Sequence, residues 1–85
     1  MVLLAITPDG LEDALRVAAA TGASVWCGAD AISESDYGSR RSVSLSRFIY
    51  PLQGATPEML ARVKGTIEEH HPGETIWVEG RSEVQ

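Results

Sequence analysis

The sequence contains a single cysteine, Cys27, so the chain cannot form an internal disulfide bond. Small secreted domains usually depend on disulfide bonds, so a small domain without one is typical of a reducing compartment. Long apolar runs are also missing, since no segment approaches the roughly 18 residues of a membrane span. The first residues carry no basic region of the kind that opens a signal peptide. These absences predict a cytoplasmic protein that does not contact a membrane.

Basic residues are scarce as well, because seven Lys and Arg stand against twelve Asp and Glu and give a net charge of -5. Nucleic-acid backbones and anionic membranes attract Lys and Arg, so this balance disfavours both as partners. The 85 residues are enough for one small domain, and 44% hydrophobic content is that of a globular protein. We therefore predict one domain over residues 1–80 and a frayed tail over residues 81–85.

Two helix starts share one pattern, because "TPDGL" begins at Thr7 and "TPEML" begins at Thr56. Each threonine can cap a helix with its side-chain oxygen, and the following proline fits the first helical position. Apolar residues at helical spacing follow both starts, up to Gly22 in the first case and to residues 70–73 in the second. The repeat indicates either an internal duplication or two uses of a common helix start.

Four segments have the composition of strands, and they lie at residues 2–6, 23–29, 43–52 and 74–80. The first is apolar at every position, which suits a central strand covered on both faces. Residues 30–42 are rich in Ser and Gly and are interpreted as a loop. The order predicts an α/β (α+β) fold of the ferredoxin-like type. In this two-layer βαββαβ sandwich, two helices cover one face of a four-stranded antiparallel sheet, and the Trp-containing strands form its edges.

Such a fold leaves one sheet face uncovered, and strand alternation places most of the aromatic residues on that face. The predicted interface residues are Leu3, Trp26, Phe48, Tyr50 and Trp77. A protein partner or a second copy of the chain would explain the patch. A nucleic-acid stacking platform is a weaker explanation because no basic stripe frames the aromatic residues. In a third explanation, Phe48 and Tyr50 are core residues and the chain's own loop or tail covers the tryptophans.

The loop over residues 30–42 supplies a second candidate contact, formed by Tyr37, Arg40 and Arg41. The two arginines could bind an anion or an acidic partner, although a solvated loop is the simpler and favoured explanation. Cys27 lies in a strand without a nearby cation, which indicates a structural core residue. His70 and His71 are adjacent at a helix end and therefore point in different directions. No catalytic residue, metal site or cofactor site is predicted.

These features predict a small non-enzymatic protein-binding module that acts through its aromatic sheet face, as an adaptor or an inhibitor and in one version as a homodimer. By analogy, some small acidic proteins that phages and mobile elements encode act as inhibitors. The alternative is a regulatory domain that binds a small metabolite at a dimer interface. An enzyme ranks third, because it would need Cys27 or one of the histidines within reach of another reactive group.

Overall fold

The computed structural model describes residues 1–39 and 44–80, and four short strands form one sheet within them. The strands are β1 (Val2–Ala5), β2 (Ser24–Cys27), β3 (Leu45–Arg47) and β4 (Ile76–Val78). The helices are α1 (Pro8–Thr21), α2 (Glu34–Ser39) and α3 (Pro57–His70). The strand order is β3-β2-β1-β4, and each neighbouring pair is parallel.

The predicted ferredoxin-like sandwich with an antiparallel sheet is therefore wrong. The connection between β2 and β3 is not a hairpin, because α2 lies between the two strands and they run parallel. Parallel neighbours need a crossover of about a dozen residues or more, and this segment supplies it. The central strands are β1 and β2, so the strand that contains Trp26 is not an edge, whereas β4 with Trp77 is one.

Both long helices begin where the sequence predicts. The Thr7 side-chain oxygen accepts a hydrogen bond from the Gly10 N–H at 3.0 Å, and α1 ends at Gly22 with a φ of 79°. Thr56 accepts a hydrogen bond from the Met59 N–H at 3.2 Å and caps α3 in the same way. Capping oxygens satisfy backbone donors that have no partner inside the helix, which is why both starts were visible in the sequence.

Helices cover both faces of the sheet, so the core has two halves. On one face α1 contributes Leu11, Leu15 and Ala18, which pack with Ala5, Val25 and Cys27. On the other face α3 contributes Val63 and Ile67, which pack with Val2, Leu4 and Leu52. The all-apolar β1 fits this double cover. Leu3 pairs with Val25 and Leu4 pairs with Trp26, so Leu4 and Val25 lie on opposite faces of the sheet.

The third strand is shorter than the predicted segment over residues 43–52, because β3 ends at Arg47. Strand alternation stops there, and Phe48 is only 8% exposed while Ile49 is 90% exposed. The predicted tail over residues 81–85 lies outside the described residues. Among the helices of the described segments, none has the length and apolar character required to cross a bilayer.

Candidate functional site

A groove with a volume of about 390 Å³ lies between the first half of α1 and the edge strand β4. It exists because α1 packs on β1 and β2, while no helix among residues 1–39 and 44–80 packs on the adjoining face of β4. Its walls include Leu3, Asp9, Gly10, Asp13, Ala14 and Trp77. We call this surface the Trp77 groove. Its volume lies within the range of about 300–1,000 Å³ that is usual for sites of small ligands.

The groove lies where the strand order reverses direction. From β1 the chain reaches β2 on one side through α1, and it later reaches β4 on the other side through α3. The two helices lie on opposite faces of the sheet. Because the connections from β1 and to β4 run to different faces, a crevice remains outside the carboxyl ends of these two strands. Parallel α/β sheets commonly bind their ligands in such a crevice.

The Glu79 side chain lines the crevice and lies against the turn between β1 and α1. One carboxylate oxygen accepts hydrogen bonds from the Ile6 N–H at 2.6 Å and the Thr7 N–H at 2.8 Å. The other accepts the Thr7 hydroxyl at 2.6 Å. A Cβ atom on Gly10 would collide with this carboxylate, so the glycine leaves the space that Glu79 occupies. The chain thus places its own anion at the start of α1, where the helix dipole favours negative charge.

Trp77 is the largest apolar side chain on the groove and is 59% exposed. It pairs in register with Leu3, which is half-buried and lies on the same side of the sheet. The neighbouring Ile76 packs toward α3 on the other face, as strand alternation requires. The indole thus lies on an edge strand and is mostly open to solvent. Leu3 and Trp77 are therefore the two predicted interface residues that line the groove.

Trp26, Phe48 and Tyr50 lie on the opposite face, where they pack with the core half beneath α3. The Trp26 ring centroid is 5.3 Å from that of Phe48, which is 5.3 Å from that of Tyr50. The Trp26 indole N–H donates to Nε2 of His71 at 3.2 Å. The prediction that these three residues share an uncovered face with Trp77 is wrong, because α3 covers their side of the sheet.

The predicted loop contact is described only in part. Tyr37 is half-buried in α2, and its N–H donates to the Ser33 carbonyl oxygen at 2.9 Å. Arg40 and Arg41 lie outside the described residues, so their contact role stays a prediction, as does the interface role of Trp77.

Sequence analysis missed Arg47, which holds the segment after β2 in place. Its Nε donates to the Ile32 carbonyl at 2.9 Å and its Nη2 donates to the Ala29 carbonyl at 3.0 Å. An arginine that alternates with apolar residues on one strand face needs acceptors there, and this signal could have identified it. Asp9 and Glu79 were missed as groove residues because their neighbours become visible only in the tertiary structure.

Cys27 and His71, the side chains weighed above for nucleophilic or acid–base chemistry, do not line the groove. Cys27 is fully buried, and burial raises the pKa of its thiol to about 11. His71 accepts from Trp26 through one ring nitrogen, and its other ring nitrogen lies 3.5 Å from the Glu74 carboxylate. Over residues 1–39 and 44–80, no three His, Cys, Asp or Glu side chains form a group able to hold a metal ion.

No protein-family model, no curated protein and no solved structure matches this chain. A parallel α/β sheet supports many unrelated activities, so the fold alone does not select one. The functional argument depends on the geometry and chemistry of the Trp77 groove.

Proposed function

We propose that the protein is a small non-enzymatic protein-binding module, an adaptor or an inhibitor, that binds its partner through the Trp77 groove. The exposure of Trp77 carries this proposal. A tryptophan buries about 150–250 Å² when it is covered, so an indole left 59% exposed contributes only part of that area to the chain's own core. Tryptophan is enriched among the residues that dominate binding energy at interfaces.

The surroundings of Trp77 support the same function. The indole lies beside a concave surface with apolar walls, Leu3 and Ala14, and carboxylates on its rim, Asp9 and Asp13. An apolar centre with a polar rim is the usual arrangement of a protein-binding patch. Since β4 is an edge, a partner can approach the groove from the side as well as from above.

The chemistry of the described reactive groups supports a non-enzymatic role. A thiol with a pKa near 11 stays protonated at neutral pH, and a thiolate is the nucleophilic form of cysteine. The anion-binding donors of the turn between β1 and α1 are already used by Glu79. Packing in the core accounts for the Cys27 thiol, and hydrogen bonding to Glu79 accounts for the donors of this turn.

Site-specific photo-cross-linking in the native host tests the proposal. A photoreactive phenylalanine analogue replaces Trp77 in one variant and Glu69, an exposed residue of α3, in a matched control. We expect a discrete cross-linked product from position 77 and none of that mass from position 69. A product of twice the chain's mass would identify a second copy as the partner. Equal products from both positions, or none from position 77, would contradict the proposal.

A second candidate function is a regulatory domain that binds a small metabolite, and the volume and position of the groove favour it. A crevice of about 390 Å³ at the reversal of strand order resembles the ligand sites of other parallel sheets. In that case one metabolite should raise the thermal midpoint, and above its Kd the stabilisation should grow with the logarithm of its concentration. Trp77→Ala should abolish this shift, whereas a protein partner would be captured without any added metabolite.

A further inference from the structure

We propose, resting on the protein-binding function above, that the partner presents an extended basic segment. This segment adds to β4 as a fifth strand and places an Arg or Lys side chain against Trp77, between Asp9 and Asp13. Three observations lead to this proposal: the edge position of β4 in the sheet of the described residues, the charge of the groove and the exposure of the Trp77 indole.

The outer edge of β4 offers backbone groups for strand pairing. The Val2 N–H donates to the Thr75 carbonyl at 2.9 Å, and the Glu79 N–H donates to the Leu4 carbonyl at 2.9 Å. Thr75 and Glu79 therefore direct these groups toward β1. Backbone groups alternate between the two sides of a strand, so those of Ile76 and Val78 point to the open edge. An extended peptide can pair with such an edge and gain main-chain hydrogen bonds.

The groove carries negative charge on its rim. Asp9, Asp13 and Glu79 line it, and among its described lining residues there is no Lys, Arg or His. Asp13 pairs with Arg16 on the outer surface of α1, whereas Asp9 has no ion-pair partner within residues 1–39 and 44–80. A cationic side chain is the complementary group, and charge complementarity selects partners and speeds their association.

The exposed indole favours the same side chain. Arg and Lys bind over the face of a tryptophan through cation–π attraction, and their aliphatic stems cover apolar surface. Trp77 and Asp9 line one groove, so a single guanidinium could contact the ring and a carboxylate together. A second copy of this chain is the poorer partner, because pairing two β4 edges would bring two acidic grooves together in a chain of net charge -5.

Peptide binding to the full chain tests this inference. The probe is a fluorescein-labelled peptide of alternating Arg and Val, measured by fluorescence anisotropy. One control peptide has Glu in place of Arg, and another carries N-methyl groups on alternate amides, which block strand pairing while keeping the charge. The protein variants are Trp77→Ala, the double change Asp9→Asn with Asp13→Asn, and a matched charge control on α3, Glu68→Gln with Glu69→Gln.

We expect the Arg peptide to bind and the Glu peptide not to bind. N-methylation should weaken binding about tenfold or more, and Trp77→Ala should weaken it about 30-fold. The Asp9 and Asp13 change should weaken binding several-fold, with a loss that shrinks at high salt. The α3 control should bind as the unmodified protein does. Amide resonances of Ile76 and Val78 should shift on titration.

Three results would overturn the inference. The first is equal loss in the groove and α3 charge variants, which would indicate attraction to overall charge alone. The second is full binding of the N-methylated peptide, which would exclude strand addition. The third is absence of binding by the Arg peptide. If position 77 still cross-links a partner in any of these cases, the protein-binding function stands and only the proposal of a basic fifth strand is wrong. If position 77 captures nothing, both proposals fail.

Discussion

Replacing Gly10 with alanine should destabilise this protein, although alanine is the better helix former. Gly10 occupies the third position of α1, and a Cβ atom there would collide with the Glu79 carboxylate. The carboxylate is the end of a side chain and can move aside. Moving it breaks its hydrogen bonds to the Ile6 N–H, the Thr7 N–H and the Thr7 hydroxyl. The cost of the substitution is the loss of those bonds.

The magnitude follows from two opposing effects. Hydrogen bonds to a partly exposed charged group contribute about 1 kcal/mol each, so losing this set costs about 3 kcal/mol. Exchanging Gly for Ala in a helix stabilises by up to about 1 kcal/mol. The net expectation is a destabilisation of about 2 kcal/mol. Gly65 in α3 is the matched control, because a Cβ atom there meets no atom within 4 Å. Gly65→Ala should stabilise the protein by up to about 1 kcal/mol.

Urea denaturation of a double-mutant cycle measures the effect. Gly10→Ala is introduced into the unmodified protein and into Glu79→Ala, where no carboxylate remains to be displaced. In the second background the substitution should be neutral or slightly stabilising, so the coupling between the two positions should be about 2 kcal/mol or more. An equal cost in both backgrounds would refute the reasoning, since it would show that Gly10 is required for something other than Glu79.

Further predictions concern the helix caps, Arg47 and the buried thiol. Thr56→Ala should cost about 1 kcal/mol, and Thr7→Ala should cost more because its hydroxyl also donates to Glu79; equal urea midpoints would contradict this. Arg47→Ala should cost about 2 kcal/mol by the same assay, because two partly buried carbonyls lose a charged donor. Burial raises the pKa of Cys27 from 9.0 to about 11, so the unfolded thiol ionises first. The free energy of unfolding should therefore fall as pH rises through this interval, and Cys27→Ala should remove that part of the slope.

The helices and the first strand could be predicted from the sequence because their signals lie within a few neighbouring residues. Thr7 and Thr56 cap helices through atoms three residues away, and the apolar stripe of each helix is visible at its own period. The all-apolar β1 also indicated a strand covered on both faces. That observation conflicts with a sheet covered on one face only, and it was the stronger guide to the fold.

The direction of the strands could not be predicted because α2 leaves almost no signal. This helix has six residues and none of them is buried, so it has no apolar stripe to mark it among Ser and Gly residues. Interpreted as a loop, the segment implies a hairpin and an antiparallel sheet. The helix turns the same segment into a crossover, and the sheet becomes parallel.

The candidate site was predictable only where strand alternation decides it. Ile76 faces the core, and alternation alone turns Trp77 to the other side. The position of Trp26 depends on which helix covers its face, and that required the correct topology. Glu79 meets Thr7 across 72 positions of sequence, and no local pattern signals that contact.

Measuring folding and association on the same Trp77→Ala protein tests the proposed function most directly. The partner is the one that cross-links from position 77. Because the indole is 59% exposed, the substitution should lower the free energy of unfolding by no more than about 2 kcal/mol, since the chain itself covers only roughly 60–100 Å² of the side chain. It should weaken partner binding by about 2 kcal/mol or more, which is a factor of about 30 in Kd. A loss of about 3–5 kcal/mol in folding stability with an unchanged Kd would show that Trp77 serves the core and would contradict the account.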